Sequence, residues 1–491
     1  MEGYLYMKTT VAVLDKRGAN ATAAVIKALK SPDPQHFKDF GIASPSTVAM
    51  EKDADSLQNQ KMDAPVVAGY AFSKFFPQDS QQCMSLENAT LVFDGRTYSP
   101  APRASVTEVF AKKLHQADHG EAGEALLRDS EGDFSFMIIE PERIIAGRDP
   151  VGVQPLYYGE NRTVAALASN RKALWKLGIE ITHSFPPGHL ALVSREGFKF
   201  KPVKTLVYSQ PKMITMQKAA ETLQKLLEQS VRWRVWGTKE IAVAFSGGLD
   251  SSVIALLAKK CSVNVNLIHV SLENQPETEE AKKAADDLNL PLQVNLFREA
   301  DVEKVVSRVV ELIEESDPVK ASIGVPFYWT AEKTAEAGFE VLLAGQGADE
   351  LFGGYQRYVN AYLLHGKEKV RKIMFDDMIR LHENNIERDV KICNFHDVEL
   401  RLPFASYQIA EFTATLPTEL KIERKTDSMR KLVLRKAAEN MGLPTSIAEK
   451  PKKAVQYATG INNALKKLAK KQKTTVTEYV NKLFLSQMSE K

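Results

Sequence analysis

The sequence predicts two folds in one chain: an α+β region built on antiparallel strands, followed by an α/β region built on a parallel sheet. In the first part, short apolar segments are separated by hairpin-like turns, with few helices between them. In the second part, apolar strands alternate with amphipathic helices, which is typical of a parallel sheet. A glycine-rich turn also joins one of these strands to a helix. We therefore predict one domain over residues 1–205 and a second over residues 206–491.

The composition is that of a globular protein. The chain has 491 residues, of which 44% are hydrophobic and 26% are charged, and a net charge of +3 gives no electrostatic reason to expect a nucleic-acid or membrane partner. Cys83, Cys261 and Cys393 are far apart, so neither a disulfide framework nor a zinc site is expected. Because we find no signal peptide and no apolar run of about 18 residues, we expect a cytoplasmic protein.

The elements of the first domain are predicted from apolar segments and turn residues. Strands are expected at residues 9–14, 41–44 and 66–72, and helices at residues 21–29 and 106–115. Two hairpins are predicted, one with strands 90–93 and 96–98 around an Asp94-Gly95 turn, the other with strands 134–139 and 143–147. Together they indicate a mainly antiparallel α+β domain.

The second domain begins with a predicted helix at residues 217–234. Strands are then expected at residues 241–245, 265–270, 292–296 and 340–344, with helices at residues 252–259 and 279–289. Ligands of such a sheet gather at the carboxyl ends of its strands. The C-terminal part is predicted to be mostly helical. It includes a lysine-rich helix at 464–473, interpreted as a solvated face, with a docking surface as the alternative.

Residues 246–252, with the sequence SGGLDSS, carry the strongest chemical signal. A glycine-rich turn between a strand and a helix N-terminus presents backbone N–H groups to an anion such as phosphate. It is not a Walker A loop, because no Lys-Ser or Lys-Thr follows its last glycine. The carboxylate of Asp250 would repel phosphate unless a divalent cation lay between them, and Mg2+ fits that role.

A second acidic loop, residues 345–355, follows the strand at 340–344. It contains the adjacent acids Asp349 and Glu350 among four glycines. Because this loop and SGGLDSS both follow strands of one sheet, we predict that Asp250 and Asp349 share magnesium.

These motifs resemble known families. SGGLDSS resembles the loop of the ATP pyrophosphatases, and residues 345–355, 398–404, 430–435 and 449–453 resemble motifs of the asparagine synthetases. The resemblance implies an ATP-pyrophosphatase (Rossmann-like) synthetase domain that uses ATP and Mg2+. It also implies adenylation of a carboxylate, release of pyrophosphate, and attack by an amine. The implied ATP-binding residues are Phe245, Ser246, Gly247, Gly248, Leu249, Asp250, Ser251, Ser252, Val270, Ala344 and Gly345.

The resemblance also implies catalytic residues, namely Lys452, Gln346 and Glu350. Lys452 would act as a point charge near the α-phosphate. Gln346 is a departure, because the family has a glutamate there that can accept a proton from the nitrogen nucleophile. An amide cannot be a general base, although it can still form hydrogen bonds. The β-lactam synthetases carry tyrosine at this place, so the acceptor and the nucleophile stay open.

Residues 132–136, 147–158, 168–169 and 187–189 resemble a class II glutamine amidotransferase domain, which implies an Ntn-type αββα sandwich. The family's glutaminase machinery is missing. Lys8 stands where the family has its N-terminal cysteine, and Phe72 stands where it has an arginine. Asp94 replaces the asparagine of the oxyanion site, which places a negative charge where negative charge would develop. We predict a retained scaffold without glutaminase activity.

The sequence therefore predicts an ATP-dependent amide-forming ligase acting on a small-molecule carboxylate, expected to be the aspartate side chain, with ammonia. The product would be asparagine, and the ammonia would come from solution or from a separate glutaminase protein. The alternatives are a ligase for another carboxylate or amine, in the manner of β-lactam synthetases, and a nucleotide-sensing pseudoenzyme. A tRNA-modifying enzyme is disfavoured by the lack of paired catalytic cysteines. A homodimer stays open.

Overall fold

The structure, a computed structural model, describes residues 7–30, 37, 39–72, 83–99, 110–112, 114, 118–425, 429–450 and 459–489. The chain divides into two compact units, Met1–Thr205 and Leu206–Lys491. In the described ranges, no helix combines the length and apolar character needed to cross a membrane. The helix predicted at 106–115 lies largely outside the described residues, although residues 110–112 and 114 are helical.

The first unit contains two antiparallel sheets. Its strands are β1 (Met7–Asp15), β2 (Asp39–Ala43), β3 (Val48–Glu51), β4 (Val66–Phe72), β5 (Cys83–Ser85), β6 (Thr90–Ser99), β7 (Glu131–Ile139), β8 (Ile144–Arg148), β9 (Tyr157–Glu160), β10 (Val164–Ala168), β11 (His183–Ser184), β12 (His189–Ser194) and β13 (Gly197–Pro202). The sheet orders are β11-β9-β10-β1-β4-β2-β3 and β13-β12-β8-β7-β6-β5. Its helices are α1 (Thr22–Leu29), α2 (His119–Asp129) and α3 (Arg171–Lys176), with a 3-10 turn at Ser56–Asn59.

The alternation of side chains along β1 shows how the layers form. Val11 and Val13 pack with α1 and α3 on one face, while Ala12 and Leu14 point into the apolar layer between the two sheets. Helix α2 covers the outer face of the second sheet. The order of layers is helix, sheet, sheet, helix, which confirms the predicted αββα sandwich.

The hairpin predicted around Asp94-Gly95 is wrong. Residues 90–99 form one strand, β6, and pair with β7 along their length, with Asp94 opposite Ser135 and Gly95 opposite Phe134. Gly95 has φ +107°, and a Cβ there would lie 2.1 Å from the carbonyl oxygen of Asp133. Glycine is therefore required by close strand approach and not by a turn, and long-range pairing overrides the local turn signal. The second predicted hairpin is confirmed as β7 and β8.

The second unit is built on one five-stranded parallel sheet with the order β16-β15-β14-β17-β18. Its strands are β14 (Glu240–Ala244), β15 (Asn264–Leu272), β16 (Leu292–Phe297), β17 (Val341–Leu343) and β18 (Glu399–Arg401). The helices are α4 (Met216–Val235), α5 (Leu249–Lys259), α6 (Glu277–Leu288), α7 (Glu299–Ile313), α8 (Pro318–Glu336), α9 (Ala348–Phe352), α10 (Gln356–Ile379), α11 (Glu387–Phe395), α12 (Tyr407–Ala414), α13 (Leu432–Asn440), α14 (Thr445–Ala448), α15 (Ile461–Lys471) and α16 (Val476–Ser489). A π-helical turn, His382–Ile386, joins the α10 region to α11, and a 3-10 turn spans Thr418–Leu420.

The parallel sheet places two predicted loops side by side. Strands β14 and β17 pair directly, with Val243 opposite Leu343, so the loops that follow them leave the same edge of the sheet. Helix α5 begins at Leu249 and not at residue 252 as predicted, because Gly248 already ends the extended loop. Asp250 therefore lies in the first turn of α5.

Candidate active site

The loop after β14 contains a glycine, Gly247, at a position where any side chain would be strained. Gly247 has φ +66°, and a Cβ there would lie 2.7 Å from the Cα atom of Ala281 on α6. The hydroxyl of Ser251 accepts from the backbone N–H of Ser246 at 3.3 Å, which folds the loop over the start of α5. Within the described residues, the hydroxyl of Ser252 is buried and has no hydrogen-bond partner. These donors at a helix N-terminus suit a phosphate group.

We expect Gly247→Ala to weaken ATP binding by about tenfold or more, because it adds a steric clash to a left-handed backbone. Gly237→Ala is the matched control, since Gly237 has φ +78° but no atom within 4 Å of its Cβ position. The control should lose only about 1 kcal/mol of stability. Calorimetric titration with ATP, together with thermal unfolding, separates the two effects. Equal ATP affinity in both variants would contradict the assignment of this loop.

The carboxyl end of β15 is hydrogen-bonded to Phe245, the residue that begins this loop. The N–H of Phe245 donates to the carbonyl of Ile268 at 2.9 Å, and Nδ1 of His269 donates to the carbonyl of Phe245 at 2.9 Å. Burial lowers the pKa of His269, so the ring stays neutral with its proton on Nδ1. Val270, one of the implied ATP-binding residues, is buried at this same end of β15. The two strand ends therefore form one continuous edge.

The acidic loop after β17 lies against the first loop. Ala344 is buried, and a Cβ on Gly345 would lie 3.0 Å from Cβ of Asp250, so glycine permits the contact. Gly347 has φ +93° and lets the chain turn sharply into α9. Asp349 lies in the first turn of that helix. The structure thus brings together the two carboxylates that the sequence predicted to share a cation.

Lys431 connects these carboxylates, and the sequence reasoning gave it no role. Its Nζ lies 2.7 and 2.6 Å from the two oxygens of Asp250 and 2.6 Å from Oδ1 of Asp349. The lysine side chain is 1% exposed, whereas the two acids are 15% and 18% exposed. Lys431 is the residue immediately before α13, and its backbone has a left-handed φ of +62°. Only the tertiary fold could reveal this contact, because the three residues are far apart in the chain.

The donor set fits Mg2+, because two carboxylates converge on a single positive charge. Asp250 and Asp349 would hold the ion. Among the described residues, no group of three or more His, Cys, Asp or Glu side chains is placed to bind a metal. Phosphate oxygens and water would therefore complete the coordination, as Mg2+ commonly requires. Bound there, the ion would neutralise charge on the phosphates.

Lys452 lies outside the described residues, but several contacts fix the chain as far as Lys450. The guanidinium of Arg435 donates to the backbone carbonyls of Ala448 and Lys450, the latter at 3.0 Å. The ammonium of Lys450 lies 2.7 Å from Glu280 on α6 and donates to the carbonyl of Gly247 at 3.4 Å. Lys450 is thus held beside the loop after β14.

Glu350 is enclosed behind the acidic loop. It is 3% exposed, and burial raises the pKa of its carboxyl group to about 6. Its Oε1 accepts from Nδ2 of Asn385 at 2.7 Å and from the hydroxyl of Tyr355. Gln346 is partly exposed, and burial raises the pKa of the nearby Asp389 carboxyl group. Asn385 and Asp389 were not singled out from the sequence, since no motif contains them.

The first unit shows the surroundings of Phe72 and Asp94, which stand at positions where the sequence analysis expected glutaminase residues. Phe72 is buried in β4. The carboxyl group of Asp94 is buried and accepts from Nε2 of Gln154 at 2.6 Å, and burial raises its pKa to about 7. The thiol of Cys83 is also buried, and its pKa is raised to about 12, so it is a poor nucleophile. The side chain of Lys8 lies outside the described residues.

Comparisons with known proteins match both units. The family model for asparagine synthase matches residues 222–368 and 361–491, and that for a glutamine amidotransferase domain matches residues 77–176. A putative glutamine-hydrolysing asparagine synthetase 1 of Methanocaldococcus jannaschii is 32% identical over 410 residues, covering 73% of this chain and 75% of the relative. Asparagine synthetase B of Escherichia coli K12 is 27% identical over 385 residues, covering 72% and 66%.

Among solved structures, a glutamine phosphoribosylpyrophosphate amidotransferase from B. subtilis, complexed with ADP and GMP, matches 58% of this chain and 65% of its own. The identity is 14% and the TM-score is 0.34.

The parallel-sheet unit and its family match define the class of protein, a carbon–nitrogen ligase. The chain belongs to the asparagine synthetase family, whose members use ATP.

Proposed function

We propose that the chain adenylates a carboxylate with ATP, releases pyrophosphate, and transfers ammonia to form an amide. The aspartate side chain is the proposed acceptor and asparagine the product. The observation that carries this proposal is the convergence of the SGGLDSS loop, the acidic loop and Lys431 at one edge of the parallel sheet. In this proposal, residues 206–491 form the synthetase domain and residues 1–205 a degenerate amidotransferase-like domain.

The positions of the described residues and the family resemblance support the following roles. Backbone N–H groups around Gly247 and Gly248, together with the hydroxyls of Ser246, Ser251 and Ser252, bind phosphate oxygens. Phe245, Leu249, Val270, Ala344 and Gly345 form the walls around the nucleotide. Asp250 and Asp349 bind Mg2+, which supplies charge neutralisation on the phosphates. Lys452 adds positive charge near the α-phosphate, and Glu350 lies buried behind the loop.

The chemistry has two steps. First, a carboxylate oxygen of the acceptor attacks the α-phosphorus of ATP, and the bond to pyrophosphate breaks with its electron pair leaving on pyrophosphate. Next, the lone pair of neutral ammonia attacks the acyl carbon, and AMP leaves with the electron pair of the carbon–oxygen bond. The proton lost from nitrogen goes to water. The site residues hold the reactants in position and stabilise the charge that develops on oxygen.

We expect ammonium to support turnover and glutamine alone to fail. The reason lies in three residues of the first unit. Phe72 and Asp94 are buried at two positions where the related amidotransferases carry glutamine-binding and oxyanion groups. The thiol of Cys83 is also buried. The measurement is pyrophosphate release and amide formation with aspartate and other carboxylates, with ammonium or glutamine as nitrogen source. E. coli asparagine synthetase B serves as the control with glutamine. Glutamate release from glutamine by the purified chain would contradict the proposal.

A second candidate is a ligase that joins a different carboxylate or amine. Gln346 favours it, because the amide stands where the asparagine synthetases carry a glutamate. The same carboxylate panel tests it. Pyrophosphate release with a carboxylate other than aspartate would support this candidate and replace asparagine as the product.

A further inference from the structure

A small cavity in the second unit is lined by none of the residues assigned to the proposed chemistry. It lies between α10, α12 and the 3-10 turn Thr418–Leu420. The centre of a water-sized group can occupy about 10 Å³ of it, which is room for roughly one such group. Most of its wall is apolar, and the polar side chains that line it are Arg371, Thr418 and Lys421.

Both cations that line the cavity are buried. Arg371 is 6% exposed and Lys421 is 5% exposed. Among the described residues, no aspartate or glutamate lines the cavity with them. Burial lowers the pKa of Lys421 to about 7, and repulsion from Arg371 acts in the same direction. Two like charges are therefore enclosed together, which is a costly arrangement unless a negative charge accompanies them.

Arg371 satisfies only part of its guanidinium with the protein. Its Nη2 donates to the carbonyl of Ser209, and its Cζ lies 4.3 Å from the centre of the Tyr208 ring. Its Nη1 lies 3.8 Å from the carboxylate of Glu368, which is 63% exposed and so screens the charge weakly. Within the described part of the chain, Nε of Arg371 is buried and has no hydrogen-bond partner. One buried donor is thus left for a group that the protein does not supply.

Lys421 connects the cavity to the elements of the candidate active site. Its carbonyl accepts from the N–H of Leu432, the first residue of α13, at 3.0 Å. A Cβ on Gly353, the residue after α9, would lie 3.6 Å from Cβ of Lys421. The cavity therefore adjoins the ends of the helices beside which Asp349 and Lys431 lie.

We propose that this cavity binds one small monovalent anion, such as chloride, between Arg371 and Lys421. Chloride is only slightly larger than a water molecule, whereas a phosphate or a metabolite carboxylate is too large for the space. Nε of Arg371 and the ammonium of Lys421 supply charge-assisted hydrogen bonds to the anion. The apolar walls exclude water and so strengthen the attraction. The inference does not depend on the proposed ligase activity.

The direct test is the line width of the chloride NMR signal in the presence of the full chain. Chloride that exchanges with a protein site broadens the signal of free chloride, and we expect a broadening that saturates as chloride is added. Lys421→Met keeps the length of the side chain and removes its charge, so it should abolish this broadening. Lys372→Met is the matched control, because Lys372 also lies on α10 but is 50% exposed and pairs with Asp376. The control should broaden the signal as the parent does.

Thermal unfolding supplies a second measurement. Chloride at about ten times its Kd should raise the Tm of the parent by roughly 2 °C or more relative to gluconate at the same ionic strength, because gluconate is too large for the cavity. Lys421→Met should unfold at one temperature in both salts. In gluconate it should match or exceed the parent, because it removes a buried charge that lacks compensation.

Three results would overturn the inference. Equal chloride broadening in the parent and Lys421→Met would place the binding elsewhere, and an equal loss in Lys372→Met would show a general effect of charge. A parent chain that neither broadens the chloride signal nor unfolds at a higher temperature in chloride would show that the cavity holds water alone.

Discussion

We expect Asp250→Asn to abolish magnesium-dependent formation of AMP while the protein stays folded, and we expect the same of Asp349→Asn. Each substitution removes one of two carboxylates that converge on a single cation position. Losing one charged metal ligand should cost several kcal/mol of transition-state stabilisation. The fold should survive, because the remaining carboxylate still pairs with Lys431 and the asparagine amide keeps nearly the same volume.

The measurements for these variants are AMP formation and, separately, ATP affinity as a function of magnesium concentration. The affinity assay does not depend on turnover, so it reports the metal assignment directly. Asp286→Asn on α6 is the control, because Asp286 is an exposed aspartate on a helix that packs beside the loop. Rates near the parent value in either Asp250→Asn or Asp349→Asn would remove the metal role of that residue.

Lys431→Met should destabilise the second unit by roughly 3 kcal/mol or more, because it removes the buried ammonium group that lies 2.6 Å from each of two mostly buried carboxylates. Added Mg2+ should restore part of this loss, since the ion can replace the missing positive charge. We expect a higher apparent affinity for Mg2+ in the variant, because the ion no longer competes with an ammonium group. Denaturant unfolding with and without Mg2+ measures both effects.

Lys436→Met is the matched control for this substitution. It lies on α13, near Lys431, and its partner Glu439 is 43% exposed at a distance of 3.0 Å. Pairs of this kind contribute about 1 kcal/mol or less, so the control should differ little from the parent. Equal stability of Lys431→Met and Lys436→Met, with no response to Mg2+, would show that the lysine does not balance the two acids.

The sequence predicted the parts of the fold that depend on local pattern. Apolar runs located the strands that precede both loops, and the order of strand, glycine turn and helix located the site at the carboxyl edge of the sheet. The prediction of a turn at Asp94-Gly95 was wrong, because the same dipeptide also suits a strand that another strand approaches closely. That approach is set by β7, about forty residues away along the chain, and no local pattern contains it.

The sequence pointed to candidate site residues only where those residues lie within a recognisable motif. Asp250 and Asp349 each lie in a glycine-rich loop and could be paired through the geometry of a parallel sheet. Lys431 contacts Asp250, which lies 181 positions away from it in the chain. Tertiary packing sets this contact, so a single sequence offers no signal that distinguishes Lys431 from other charged residues.

The ammonium of Lys431 gives the two acids an internal counter-ion within the protein itself. Asp250 and Asp349 therefore have a positive partner that belongs to the fold and does not have to be supplied by metal or nucleotide. The fold therefore does not depend on a bound ligand to offset the repulsion between these two acids.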